Sequence, residues 1–145
     1  MKLVIPVDGS KSSKNAILTS MENGLFENAE IHLITVNPST GDIPASPYMA
    51  LNMMDQIVKI NKQKALDVLE EASALIAPKY PVAAAVVKEG DPAQEIIKYS
   101  CDLGSDLIVM GNRGLGTFNK VLLGSVSQQV LTHSKCSVLI VKERK

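Results

Sequence analysis

Apolar residues along the chain form two kinds of pattern that alternate from one end to the other. Short and nearly continuous apolar runs are typical of strands that are buried in a parallel sheet. Five such runs are present, at residues 3–7, 31–36, 82–88, 106–110 and 138–141. The stretches between the runs carry apolar residues at helical spacing, so the pattern predicts strands and helices in regular alternation.

Four helices are predicted between these strands. The first ends near Gly24, and the second is long and ends near Ala77. The third begins at Asp91, a capping residue that is followed by Pro at the first helical position and by Gln three residues after the cap. The fourth runs from Ser125 to His133, and Ser-Val-Ser-Gln at its start resembles another capping box.

This order of elements predicts an α/β fold that spans residues 1–145 as a single domain. We expect a doubly wound, Rossmann-like sandwich with a five-stranded parallel sheet in the order 3-2-1-4-5 and four helices. Strands 1, 4 and 5 are almost wholly apolar, which favours strands that are covered on both faces. Right-handed crossovers then place a ligand site at the carboxyl ends of the strands, near the point where the strand order reverses.

Composition narrows the classes of partner. The chain has 145 residues, with 15 Lys and Arg against 15 Asp and Glu, so its formal net charge is zero. We therefore expect neither a nucleic acid nor an anionic membrane as partner. Aromatic residues make up only 3%, which disfavours a single-stranded nucleic-acid binder that stacks bases on aromatic rings. No apolar run approaches the roughly 18 residues of a membrane span, and no targeting segment is evident, so we expect a cytoplasmic protein.

A glycine-rich segment that follows strand 4 carries the most informative chemistry. Gly111, Gly114 and Gly124 lie between the end of that strand and the start of helix 4. Glycine lets the backbone approach a ligand closely, and backbone N–H groups in such a loop or at a helix N-terminus bind phosphate. Arg113 and Lys120 are candidate charges for the same phosphates.

Two nucleotide-binding motifs are excluded by their spacing. No Gly is followed by Lys-Ser or Lys-Thr as a P-loop requires, and the turn after strand 1, which begins at Asp8, lacks the GxGxxG of a dinucleotide site. Two alternatives remain open. The glycines either hold phosphate or only shape a long loop, and Asp8 is either a Mg²⁺ or ribose ligand or a turn and cap residue.

The spacing Gly111-x2-Gly114-x9-Gly124-Ser125 resembles the ATP-binding signature of the universal stress protein family. Three further segments resemble the same family: residues 6–10, which read Pro-Val-Asp-Gly-Ser, residues 89–93, and the Cys-x-Val-Leu-Ile-Val of the last strand. The resemblance covers essentially the whole chain.

The resemblance implies an ATP site, with Asp8 beside the ribose and adenine, and a homodimer formed through the last strand, Ser137–Val141. We expect Mg²⁺ to accompany the ATP, with Asp8 as its candidate ligand. By this analogy Pro6, Val7 and Asp8 line the adenine and ribose, and residues 124–127 close on the phosphates. The implied site residues are Pro6, Val7, Asp8, Val36, Met110, Gly111, Arg113, Gly114, Gly124, Ser125, Val126 and Ser127.

Three functional hypotheses follow. The first is a dimeric, ATP-binding stress-response protein that acts as an ATP sensor or binding-dependent regulator, with slow or no hydrolysis. The second is an enzyme, either a slow ATP hydrolase or a protein that phosphorylates itself on Ser125 or Ser127. The third is a nucleotide-independent interaction module whose partner surface includes helix 2 and the methionines Met49, Met53 and Met54.

Overall fold

Five strands alternate with four helices in the computed structural model, which describes residues 1–39, 51–115 and 122–143. The strands are β1 Lys2–Pro6, β2 Glu30–Asn37, β3 Val82–Glu89, β4 Leu107–Gly111 and β5 Ser137–Val141. The helices are α1 Lys11–Glu22, α2 Leu51–Ile76, α3 Pro92–Leu103 and α4 Ser125–His133.

All five strands run parallel in one sheet, in the order β3-β2-β1-β4-β5. Leu3 of β1 is opposite Ile31 of β2 on one side and opposite Leu107 of β4 on the other. The predicted fold class and strand order are therefore confirmed. The order reverses between β1 and β4, so the carboxyl ends of these two strands flank the point where ligands bind in folds of this type.

The side chains of the sheet alternate between two apolar layers. Leu3 and Ile5 of β1 pack with residues of α1 and α2, such as Ile17, on one face. Val4 points to the other face, where it packs with residues of α3 and α4, such as Val130. Leu3, Val4 and Ile5 are fully buried on the two faces of β1, which explains why the centre of this strand is an unbroken apolar run.

The helix starts differ in how they are capped. The side chain of Ser10 accepts a hydrogen bond from the N–H of Ser13 at the start of α1, and Asp91 accepts one from Gln94 at the start of α3. The predicted capping box at Ser125 is wrong, because Ser125 is the first residue of α4 and its N-cap is Gly124. Glycine has no side chain that accepts from the first N–H groups, so this helix start has no side-chain cap.

The prediction that β5 is covered on both faces is also wrong. β5 lies at the edge of the sheet, and only its last residue, Val141, is buried, whereas Leu139 on the same face of the strand is 39% exposed. An edge strand has a neighbour on one side only, so fewer side chains cover it than a central strand. Within the described residues, no helix combines the length and the apolar character that a membrane crossing requires.

Candidate functional site

A cavity of about 470 Å³ opens at the carboxyl ends of β1, β2 and β4. All twelve of the residues that the sequence assigned to the site line it: Pro6, Val7, Asp8, Val36, Met110, Gly111, Arg113, Gly114, Gly124, Ser125, Val126 and Ser127. Lys120, the second candidate charge, and Met49 lie outside the described residues. The structure thus brings together side chains from four separate parts of the chain.

Five further lining residues were missed: Ser13, Ile34, Pro92, Ile96 and Leu115. Pro92 and Ile96 belong to the first turns of α3, which begins at the same edge of the sheet where β3 ends. The capping signal at Asp91 had already marked that helix start, so its placement beside a carboxyl-end site was available from the sequence.

One wall of the cavity is apolar. Ile34, Ile96 and Met110 are buried in the layer between the sheet and α3 and α4, and Val36 and Val126 pack against that layer. The apolar wall is therefore an extension of the core, held in place by residues that also stabilise the fold. Such a wall accepts a flat apolar group, such as a nucleotide base, without an aromatic partner.

The N-terminus of α4 forms another part of the cavity. The N–H groups of the first helical turn, at Ser125, Val126 and Ser127, have no partner within an α-helix, and no described side chain caps them. The hydroxyl of Ser127 donates a hydrogen bond of 2.9 Å to the carbonyl of Gly111. Ser127 thus ties the helix to the end of β4, while the helix dipole gives this part of the cavity a positive potential.

Arg113 lies between the strand end and this helix. Its backbone N–H donates to the hydroxyl of Ser12 at 3.3 Å. Its side-chain Nε is buried and has no hydrogen-bond partner within the described residues. A buried N–H without a partner destabilises the structure by about 1–3 kcal/mol, so an anion that accepts from Arg113 would relieve that cost.

Asp8 supplies a carboxylate at the end of β1. Its Oδ1 accepts a hydrogen bond of 2.9 Å from the N–H of Ser10, which fixes the turn that leads into α1. Its Oδ2 faces Gly114, where a Cβ would lie 2.9 Å from that oxygen. Within the described ranges, no group of three or more His, Cys, Asp or Glu side chains could hold a metal ion.

Gly111 is required for a different reason from Gly114. A Cβ at Gly111 would lie 2.7 Å from the backbone carbonyl of Ser12, a distance that the helix backbone cannot accommodate. The glycine at the end of β4 therefore allows α1 to pack closely against the strand. Packing of α1 against β4 thus accounts for Gly111 from contacts within the protein alone, and this role differs from both open interpretations of the glycines.

A second polar cluster lies apart from the cavity, on β2 and α3. Nε2 of His32 is 2.8 Å from Oε1 of Glu30, and Nδ1 is 2.9 Å from the hydroxyl of Tyr99. The hydrogen bond from His32 lowers the pKa of Glu30 from its ordinary value. Burial raises the pKa of Tyr99, and the charge of Glu30 adds to that effect.

Similar proteins match the chain over nearly its whole length. The sequence model of the Universal stress protein family matches residues 1–142. The chain belongs to the universal stress protein family. The family that the glycine signature predicts is thereby confirmed. Universal stress protein YxiE of Bacillus subtilis (strain 168) is 31% identical over 145 residues, which cover 97% of this chain and 98% of that protein.

Solved structures show the same fold. Protein MJ0577 of Methanocaldococcus jannaschii superposes with a TM-score of 0.81 at 23% identity, covering 99% of this chain and 96% of that chain. A universal stress protein solved in complex with cAMP superposes with a TM-score of 0.69 at 27% identity, covering 97% of this chain and 96% of that one.

Proposed function

We propose that this universal stress protein binds an adenine nucleotide, ATP with Mg²⁺, in the cavity at the carboxyl ends of the strands. In this proposal the protein is a cytoplasmic homodimer that acts in the stress response as an ATP sensor or binding-dependent regulator. The base lies against the apolar wall, and the phosphates lie at the start of α4. The family membership and the relative in complex with cAMP support an adenine nucleotide as the ligand.

The observation that carries the proposal is a helix start without a side-chain cap beside an arginine whose Nε has no partner, both taken over the described residues. The other well-defined helix starts, at Ser10 and Asp91, use a side chain to accept from their first N–H groups. At Gly124 no side chain does so, and the first turn of α4 faces a cavity that Arg113 also lines. A phosphate accepts hydrogen bonds from both groups and completes them.

Mg²⁺ fits this site only together with the nucleotide. The ion is usually held by one or two carboxylates, by phosphate oxygens and by water. Asp8 is the one carboxylate among the described residues that line the cavity, and its Oδ1 is engaged by Ser10. We infer that Asp8 contributes a single ligand or a ribose contact, and that the phosphates bring the ion with them.

The same scarcity of acid–base groups supports slow or no hydrolysis. A hydrolase needs a group that positions or deprotonates the attacking water, and Asp8 is the only described carboxylate at the cavity. We expect wild type and Asp8→Ala to release phosphate from ATP at the same background rate. A rate that falls in the variant would favour an ATP hydrolase, and labelled phosphate on Ser125 would favour a protein that phosphorylates itself.

We propose that the homodimer forms through β5, because an edge strand with an exposed apolar side chain pairs readily with another edge. Leu139 is the exposed apolar residue in the middle of β5. Leu139→Lys is expected to convert the dimer to a monomer in light scattering. Leu66→Lys, the same substitution at a similarly exposed leucine on α2, serves as the control and leaves the mass of the assembly unchanged.

Thermal unfolding tests the proposed ligand. A ligand that binds only the native state raises Tm in proportion to the logarithm of its concentration above Kd. Mg-ATP at millimolar concentration is expected to raise Tm, and inorganic phosphate alone to raise it less. Arg113→Met should reduce the shift, whereas Lys14→Met, at an exposed cation away from the cavity, should not. The absence of any shift in wild type would contradict the proposal.

A further inference from the structure

Asn112 occupies the position between Gly111 and Arg113 but is not among the residues that line the cavity. It is only 6% exposed, which is unusual for an asparagine in a surface loop. Its backbone N–H donates to the carbonyl of Val141 at 3.1 Å, and its carbonyl accepts from the N–H of Gly124 at 2.7 Å. The backbone of this one residue thus connects β4 to β5 and to the N-cap of α4.

The side chain of Asn112 makes two more connections. Its Nδ2 donates to the carbonyl of Leu122 at 3.2 Å, and its Oδ1 accepts from the hydroxyl of Ser12 at 3.3 Å. Leu122 lies on the far side of the glycine-rich loop, so the amide holds the two described ends of that loop together. All four polar groups of Asn112 that the structure describes are therefore bonded to different elements of the fold.

Ser12 is the second member of this arrangement. It is buried in α1, and its hydroxyl donates to Asn112 while accepting from the backbone N–H of Arg113 at 3.3 Å. This contact is possible because Gly111 has no Cβ, which lets α1 approach the strand end closely. The close approach of α1 therefore serves to fix the backbone of the arginine that lines the cavity.

We propose that Asn112 is a positioning residue which, with Ser12, sets the phosphate-binding half of the site. This inference rests on the proposed function and assigns a role within it. Asn112 and Ser12 hold Arg113 at one end of the loop and the start of α4 at the other, at a fixed separation. Neither residue lines the cavity, and their described hydrogen bonds reach Arg113 and the start of α4 but no residue of the apolar wall, so we expect their effect to fall on the phosphate and not on the nucleoside.

A comparison of AMP with adenosine tests this role, because the two ligands differ by one phosphate. The affinity of each ligand is measured by titration calorimetry for wild type, Asn112→Ala and Ser12→Ala. We expect the preference for AMP over adenosine to fall about tenfold in Asn112→Ala and less in Ser12→Ala, while the Kd for adenosine changes by about twofold at most. A residue with only a structural role would weaken both ligands equally and leave the preference unchanged.

Ser100→Ala is the matched control. Ser100 is also a buried serine whose hydroxyl bonds to other side chains, but it contacts Ser105 and Cys136 and does not line the cavity. It is expected to lower Tm without changing the preference for AMP. If Asn112→Ala does not fold, as judged by circular dichroism, the preference for AMP over adenosine is measured in Ser12→Ala instead, and a fall in that preference supports the positioning role.

The outcomes separate this inference from the proposed function. A wild-type protein that binds AMP no better than adenosine would contradict both. A wild-type preference for AMP that persists in Asn112→Ala and Ser12→Ala would contradict the positioning role alone and leave the proposed function standing. A preference that falls in these variants and persists in Ser100→Ala would support the assignment.

Discussion

Asp8 and Gly114 face each other at the cavity, so closely that a Cβ on Gly114 would lie 2.9 Å from Oδ2 of Asp8. The two residues come from the ends of different strands, and the absence of a side chain on one leaves room for the carboxylate of the other. Gly114 has no positive φ that would by itself require glycine. The contact with Asp8 is therefore what restricts this position.

Gly114→Ala is expected to displace the carboxylate of Asp8 and to weaken the binding of Mg-ATP. The reason is steric, so the effect should depend on Asp8 being present. In an Asp8→Ala background, the same Gly114→Ala change should cost little further affinity, which a double-mutant cycle by titration calorimetry measures. Additive losses in the two backgrounds would show that Gly114 acts independently of Asp8.

Gly111→Ala is expected to lower the free energy of unfolding by about 1–3 kcal/mol, because the new Cβ would force α1 away from β4. Urea unfolding monitored by circular dichroism measures the change. The loss should appear in the absence of any nucleotide, since the contact is made with the backbone of Ser12. An unchanged urea midpoint would mean that α1 packs less closely than the structure shows.

A new cap on α4 should stabilise the fold and impair the site. Gly124→Asp and Gly124→Asn both provide a side-chain oxygen that accepts from the first turn, and each is expected to add a few tenths of a kcal/mol to stability. Both side chains compete with phosphate for the same N–H groups, and Asp also repels it. Thermal unfolding should thus show that both variants have a higher Tm than wild type without nucleotide. The rise in Tm that nucleotide causes should be smaller in Gly124→Asn than in wild type, and smallest in Gly124→Asp. A full shift in Gly124→Asp would contradict the placement of phosphate at this helix.

The Tyr99 hydroxyl is expected to make stability depend on pH in the alkaline range. Its folded pKa is raised above its ordinary value of 10.0, mainly by burial. The native state therefore binds this proton more tightly than the unfolded state. The resulting stability is fully present below about pH 10 and is lost as the pH rises through the folded pKa.

Tyr99→Phe removes both this dependence and the hydrogen bond to His32. We expect it to lower the free energy of unfolding at neutral pH by about 1 kcal/mol and to make the alkaline fall in stability shallower. Urea unfolding at a series of pH values checks both effects. Nucleotide affinity should not change, because neither residue lines the cavity. A variant with the same alkaline slope as wild type would contradict the assignment to Tyr99.

Much of the fold could be predicted because buried strands and helix starts each have a recognisable sequence pattern. The centre of β1, from Leu3 to Ile5, is wholly apolar and buried, and Asp91 with the Pro and Gln that follow it marks the start of α3. The exposure of β5 could not be predicted from its own residues. Its sequence is as apolar as that of a central strand, and only its position at the edge of the sheet leaves Leu139 uncovered.

The lining residues of the site were also largely predictable, since Asp8, Gly111 and Gly114 lie at or within three residues of the ends of strands whose carboxyl ends meet at one edge. What the sequence could not show is how these residues are held. Asn112 and Ser12 are about a hundred positions apart, and nothing in either local sequence marks their contact. The capping of α4 was predicted one residue too late, because Ser125 with Gln128 three residues later resembles a capping box, whereas the N-cap is Gly124.

The most direct test of the account is an amide-resolved NMR titration of the wild-type protein with Mg-ATP. If the phosphates bind at the start of α4, the amide signals of Ser125, Val126 and Ser127 shift together and saturate, and the amide of Tyr99 stays unchanged. If millimolar Mg-ATP leaves the α4 amides unshifted, or if the saturable shifts lie away from the cavity, the proposed site is wrong.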